Sequence, residues 1–304
     1  MKNLSERYIE YVSVVRRYSD RTVEAYADSL EQFFGFLESE GIPEETLNAR
    51  TVRAYEVWML DAKGLAPSTV SNHLSILSGF CRFLLKQGLI PSNPVKLVQR
   101  PKTPKRLPLF YREESMRAYF SEHSATLEFG DYDAALRYFI VSLLYETGIR
   151  RAELISLRRS QFDAARSTLR VRGKGDKERE IPLTGAICEE ILLYLRRVDS
   201  MFELEPDSAL LVNAKGRELY PVFVDRAVKR ELSEAPGITV RRSPHVLRHT
   251  LASELLDDGA DLNSIKELLG HSSLAATQIY THNSVEKLKN VYSKAHPRAK
   301  SKTN

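Results

Sequence analysis

The stretch Asn93–Pro108, NPVKLVQRPKTPKRLP, decides how the chain is divided. Each of its four prolines, Pro94, Pro101, Pro104 and Pro108, fixes a backbone dihedral and removes an amide donor. Regular structure therefore stops here, and the residues before each proline are pushed toward extended conformations. Five basic residues, Lys96, Arg100, Lys102, Lys105 and Arg106, stand in it without a single acid. Extended backbone carrying charge of one sign predicts a solvated linker. The same features would also suit a segment lying along a polyanion.

On the N-terminal side the pattern is helical. Val23, Tyr26, Leu30, Phe33 and Leu37 recur at steps of three and four, and Gly41 closes the run. Val70, Leu74, Leu77, Cys81 and Leu84 repeat the period, and Leu4 to Val15 and Val52 to Leu60 are shorter candidates. Residues 1–94 are thus expected to form a compact helical unit, with 95–108 the basic linker and 109–304 a second domain. In that second part, Tyr132 to Tyr145 and Arg151 to Leu157 read as helices. Phe120 to Leu136 is open between a loop and a helix extension. STLRVRGKGDKEREIPL alternates Leu169 and Val171 with Arg170 and Arg172, turns at GKGDKE, and returns through Ile181 and Leu183, the pattern of a hairpin. From Ala186 onward helices resume, broken at Pro206, Gly216, Pro236 and Gly259. The expected fold is mainly α with one small antiparallel β-sheet in the second domain.

Bulk properties narrow the class. A chain of 304 residues is long enough for two domains with separate cores. Its 45 basic and 40 acidic residues leave a net charge of +5, which tilts mildly toward an anionic partner. No basic tail accounts for the excess: 15 basic face 12 acidic residues up to Arg106, and 30 face 28 after it. Cys81 and Cys188 stand far apart in no metal-binding pattern, which argues against a disulfide framework and for a reducing compartment. The opening MKNLSERYIEYV is interrupted by Ser, Glu and Arg, so no secretory leader is expected. The longest nearly apolar run, Tyr138 to Tyr145, is far below the roughly 20 residues of a membrane span. A cytoplasmic protein without a membrane partner is expected.

Chemistry concentrates in a few motifs. PHVLRHT, Pro244 to Thr250, sets His245 and His249 one helical turn apart around Arg248. That spacing suits two metal-binding imidazoles, but Val246 stands where a zinc hydrolase carries its glutamate base, and no third ligand stands out nearby. Two histidines satisfied by helix contacts would be the plain structural alternative. Other motifs share the chain, however. YETGIRRAELISL holds Arg150 just after a glycine turn, the hairpin tip carries Lys174, and LLGHSSLAATQIYTH holds His271 and Tyr280. Together they supply two guanidiniums, two imidazoles, one ammonium and one phenol.

Such a set can cut a phosphodiester through a covalent phosphotyrosine. Arginine meets phosphate as a planar, permanently charged fork. A neutral imidazole can donate a hydrogen bond or take a proton. A phenol of pKa near 10 is only about one part in a thousand ionised at pH 7, and levelling that costs about 4 kcal/mol, a deficit a general base can offset. The pentavalent phosphorus gathers negative charge that cationic donors can meet. An ammonium can protonate the departing alkoxide.

In order and local context, TGIRRAEL, GKGDKER, HVLRH, LGHSS and TQIYTH resemble the tyrosine recombinase (phage integrase) family. In length and layout the whole chain is similar to its Xer-type site-specific recombinases. The resemblance implies a two-domain, C-shaped DNA clamp, with residues 1–94 a core-type DNA-binding domain and 109–304 the catalytic domain. It implies that Arg150 and Arg248 clamp the scissile phosphate, and that His245 and His271 hydrogen-bond it, His245 also serving as a candidate base. Lys174 would be the general acid toward the 5′ oxygen, and Tyr280 the nucleophile that leaves a 3′-phosphotyrosyl strand. Glu153 resembles the family's supporting acid, the alternative being an exposed helix residue.

The implied partners are a double-stranded DNA recombination site, a homo- or hetero-tetramer with a related recombinase that passes through a Holliday junction, and a motor protein as candidate activator. Neither metal, ATP nor another cofactor is expected. The implied role is chromosome dimer resolution. Its rivals are the integrase of a mobile element, a non-catalytic DNA-binding regulator of the same fold, and a type IB topoisomerase. Past Tyr280, a helix with Val285, Leu288, Val291 and Tyr292 on one side is expected, and the resemblance implies docking on a neighbouring subunit.

Overall fold

The computed structural model describes residues 2–102, 109–173, 177–233 and 235–270. The linker's 103–108, Lys174, His271, Tyr280 and the expected C-terminal helix lie outside the described residues. The chain divides into two compact units, Met1–Arg106 and Leu107–Asn304.

In the first unit, α1 (Lys2–Glu10) runs into a π-helical turn, Tyr11–Val15, followed by α2 (Asp20–Ser39). Next come α3 (Ala49–Val57), which ends in a second π turn, Trp58–Ala62, and α4 (Pro67–Lys86). Asn48 caps α3 by accepting from the amides of Arg50 and Thr51, and Pro67 opens α4 where no amide donor is needed. The periodic residues face one core: Leu30, Phe33, Phe36, Leu37, Tyr55, Leu74, Leu77 and Phe80 are buried. Phe33 meets Tyr55 edge-on at 5.1 Å. The linker begins later than its prolines suggest. Pro94–Leu97 forms a 3₁₀ turn, and Val95 and Val98 pack into this same core. Two valines recover more by burial than the extended backbone gains from solvation.

The second unit is built around α7 (Tyr132–Thr147). It is preceded by α5 (Glu113–Glu122) and α6 (Thr126–Phe129), which resolve the open stretch 120–136 into a helix end, a short helix and the Asp131 cap of α7. Every residue from 138 to 149 is buried, so α7 is a core helix covered on all sides. After α8 (Arg151–Ser156) come β1 (Phe162–Asp163), β2 (Thr168–Arg172) and β3 (Glu178–Pro182). They form an antiparallel sheet in the order β1-β2-β3, with Leu169 opposite Ile181 and Val171 opposite Arg179. The hairpin falls where the alternation places it. The two-residue β1, too short to show a period, exists only through pairing with β2. Then follow α9 (Gly185–Met201), α10 (Pro221–Glu231), α11 (Pro244–Asp257) and α12 (Leu262–Leu269). Helices α9, α10 and α11 pack against α7. The chain is mainly α with one small antiparallel sheet. Among the described residues no helix is long and apolar enough to cross a membrane.

Candidate active site

The site grows from the end of α7. Gly148 turns there into the left-handed region (φ +59°), and an ideal Cβ on it would lie 2.7 Å from Leu269 Cδ2 and 2.9 Å from Leu251 Cδ2. Glycine is required on both counts. The turn delivers Arg150 to the N-cap of α8. Its backbone amide donates to Glu153 Oε2 and its Nη1 to Glu153 Oε1, both at 2.8 Å. Its Nη2 donates to the carbonyl of Gly270, also at 2.8 Å. Glu153 is thus a buried partner of the arginine, not an exposed helix residue.

Arg248 enters from the first turns of α11, buried, and donates from Nη1 to the Gly148 carbonyl and from Nη2 to the Leu269 carbonyl. A third guanidinium, outside the motifs that single out the other two, comes from β3. Arg179 holds Glu153 with Nη1 to Oε1 at 3.1 Å and Nη2 to Oε2 at 2.8 Å, and donates from Nε to the Leu268 carbonyl at 2.9 Å. Its signal was present: two residues before Ile181 it occupies a core-facing strand position, where a charge needs a partner.

Three carbonyls in succession, Leu268, Leu269 and Gly270, therefore each receive a guanidinium at the C-terminal end of α12, where the helix dipole favours cations. Arg150 and Arg179 share one carboxylate, Glu153, and Arg248 lies within reach of its charge, so among the described residues these three guanidiniums face one carboxylate, a double positive excess. Burial would raise the Glu153 carboxyl, but bonds and charge from Arg179, joined by Arg150, outweigh it and hold it below its ordinary value. Burial, with the neighbouring Arg150 and Arg179 charges, brings Arg248 down to about 10, still cationic at neutral pH. Such an excess invites an anion. The Arg150 side chain is 36% exposed while those of Glu153 and Arg179 are 5%, so an incoming anion meets Arg150 with the ion pair behind it.

His245 stands on the first turn of α11. Burial lowers its pKa, and the charges of His249, Arg248 and Arg151 lower it further against the pull of Asp225. It is therefore neutral at pH 7 and able to accept a proton. Like His245, His249 is exposed, one turn further on, and its charge acts on His245. Arg151, beside Arg150, pairs with Asp225 of α10. Arg150 and Arg248 thus converge on the carbonyls at the end of α12, and His245 lies within reach of the Arg248 charge, whereas Lys174, His271 and Tyr280 lie outside the described residues. Among the described residues no group of three or more His, Cys, Asp or Glu is placed to hold a metal ion.

The model of the phage integrase family matches residues 118–287, and that of the phage integrase N-terminal SAM-like domain matches residues 5–88. Tyrosine recombinase XerC of Bacillus subtilis is 38% identical over 307 residues, covering 98% of each chain, and that of Bacillus licheniformis is 39% identical with the same coverage. XerC of Chlorobaculum parvum is 35% identical over 97% of this chain and 94% of its own. Among solved structures, the XerH site-specific recombinase bound to palindromic difH substrate aligns with a TM-score of 0.72 at 21% identity, over 96% of this chain and 84% of that one. The Tn1549 transposon integrase in complex with transposon right end DNA aligns at 0.70 and 18%, over 94% and 97%. These two share the fold. With a family model over more than half its length and relatives above one-third identity from end to end, the chain belongs to the phage integrase family, the tyrosine recombinases.

Proposed function

We propose that the chain is a Xer-type site-specific recombinase that cuts and rejoins duplex DNA through a 3′-phosphotyrosyl intermediate and a Holliday junction. The observation that carries this reading is the guanidinium cluster with its double positive excess beside a neutral imidazole. A phosphodiester brings one negative charge and its phosphorane two, so the cluster matches the transition state better than the substrate.

Arg150 and Arg248 hold the non-bridging oxygens. His245 takes the proton of the Tyr280 hydroxyl as its oxygen bonds phosphorus, and the P–O5′ bond breaks. Lys174 gives its proton to the departing 5′ oxygen, and His271 donates to the phosphate. The phosphotyrosine keeps the energy of the broken ester, so a 5′-hydroxyl from another strand reseals it without ATP or a metal. The first unit, up to Val98, would grip the DNA, the basic stretch after it as far as Pro108 would follow the backbone, and 109–304 would carry the chemistry. Four protomers, of this chain alone or with a related recombinase, would assemble on paired sites in the cytoplasm to resolve chromosome dimers, a motor protein supplying activation. The names of the relatives at 35–39% identity favour this role over that of a mobile-element integrase.

The test uses nicked duplexes of randomised sequence, from which a cleaved strand cannot be resealed. The unmodified chain should yield an adduct with nucleotide on Tyr280, insensitive to chelators. Tyr280→Phe should lose the adduct and keep DNA binding. An unmodified chain without nucleotide at Tyr280, or turnover abolished by a chelator, overturns the reading.

A further inference from the structure

We propose that Arg179 is a positioning residue for strand transfer, one guanidinium that sets the relative places of Arg150, the neck of the Lys174 hairpin and the end of α12 before His271. The inference rests on the function proposed above. Through Glu153, Arg179 reaches Arg150, since its Nη1 and the Nη1 of Arg150 share Oε1 at 3.1 and 2.8 Å. An ideal Cβ on Gly173, the residue before Lys174, would lie 3.3 Å from Glu153 Oε1 and 3.6 Å from Arg179 Nη1. The hairpin neck, closed by the Gly173 amide on the Lys177 carbonyl at 2.8 Å, therefore rests against the ion pair. On the other side, a Cβ on Gly270 would lie 3.1 Å from Arg179 Nη1 and 3.2 Å from its Cζ, so the last residue before His271 lies against the guanidinium. Nε fixes the preceding turn through the Leu268 carbonyl.

Only a planar fork can meet these demands together. Two parallel bonds fix the Glu153 carboxylate while the third donor points to the helix end. A lysine ammonium directs its donors from a single atom and cannot span both partners. The arrangement contributes more to geometry than to stability. A buried ion pair replaced whole by apolar groups is often neutral or stabilising, whereas removing one partner strands a charge. Without Arg179 the carboxylate is held by Arg150 alone, the pair loses its tie to β3 and to the Leu268 carbonyl, and the two glycines lose the surface they share. Misplacement of reacting groups by about 1 Å costs on the order of 100-fold in rate.

The test compares the full-length chain with Arg179→Lys, Arg179→Met and the double variant Arg179→Met/Glu153→Leu. The probe is a nicked duplex of the sequence recovered in adducts of the unmodified chain. Thermal unfolding, DNA affinity and single-turnover adduct formation are measured on the same preparations. The double variant strands no buried charge, so its second unit is expected to fold even where that of Arg179→Met does not. Expected is a fall of about 100-fold in adduct rate for every folded variant, with DNA affinity within about threefold of the unmodified chain, a loss in kcat and not in KM. Adduct formation at the unmodified rate in the folded double variant or in Arg179→Lys overturns the proposal alone. Equal losses in affinity and rate also overturn it, since they mark a merely structural role. Absence of any adduct from the unmodified chain overturns the function proposed above, and this inference with it.

Discussion

Glu254 shows how far one buried residue of α11 can depart from its solution behaviour. Burial raises its carboxyl to about 8; Tyr145 offsets part of this, Glu113 and Asp258 add to it, and Arg117 opposes them. A raised carboxylate is neutral in the fold when it is charged in the unfolded chain. Its contribution to stability is complete below the ordinary value of 4.5, declines as pH rises, and is gone above about 8. Glu254→Gln should therefore leave stability at pH 4.5 nearly unchanged and add roughly 2–4 kcal/mol at pH 8.5, read from urea unfolding at both values. His245, three residues before Arg248 on the same helix, is shifted the opposite way for a histidine and stays neutral. Arg150, His245 and Arg248 stand out in the sequence through residue type and motif order. Arg179 does not, because a buried charge is conspicuous only when its partners, 26 and 89 residues away, are in place.

At the scale of elements, the joint between α7 and α8 carries the site. Gly148 ends the first helix, places the N-cap arginine of the second, and gives its carbonyl to Arg248. Gly148→Ala would force a side chain into the left-handed region and against two leucine methyls, at a cost of roughly 2–4 kcal/mol. Gly185→Ala is the matched control: it opens α9, has nothing within 4 Å of the added Cβ, and should be neutral or slightly stabilising. Denaturant unfolding of the two variants side by side checks both. The hairpin and the main helices were legible because their periods of two and 3.6 are local. Short β1, and the bonds that make the end of α12 a three-carbonyl acceptor, have no period to read.

For the whole molecule, the decisive fact is that there are two cores. Phe33, Phe36, Tyr55 and Phe80 center one, and the fully buried stretch of α7 the other. Because the first core closes on itself with Val95 and Val98 included, residues 1–102 expressed alone should be helical and unfold cooperatively; circular dichroism against denaturant concentration checks it. A fragment ending before Pro94 should be less stable by roughly 2–4 kcal/mol, since it lacks both valines. The mainly α class, the hairpin and the family itself were determined by sequence alone, since periodicity and motif order are properties of neighbours along a chain. Which charges share Glu153, why Gly148 and Gly270 must be glycine, and how three arginines converge on the end of α12 were decided only by tertiary structure. A guanidinium's role depends on which carbonyls and carboxylates folding brings within about 3 Å of it, and that is set by the packing of the core behind it.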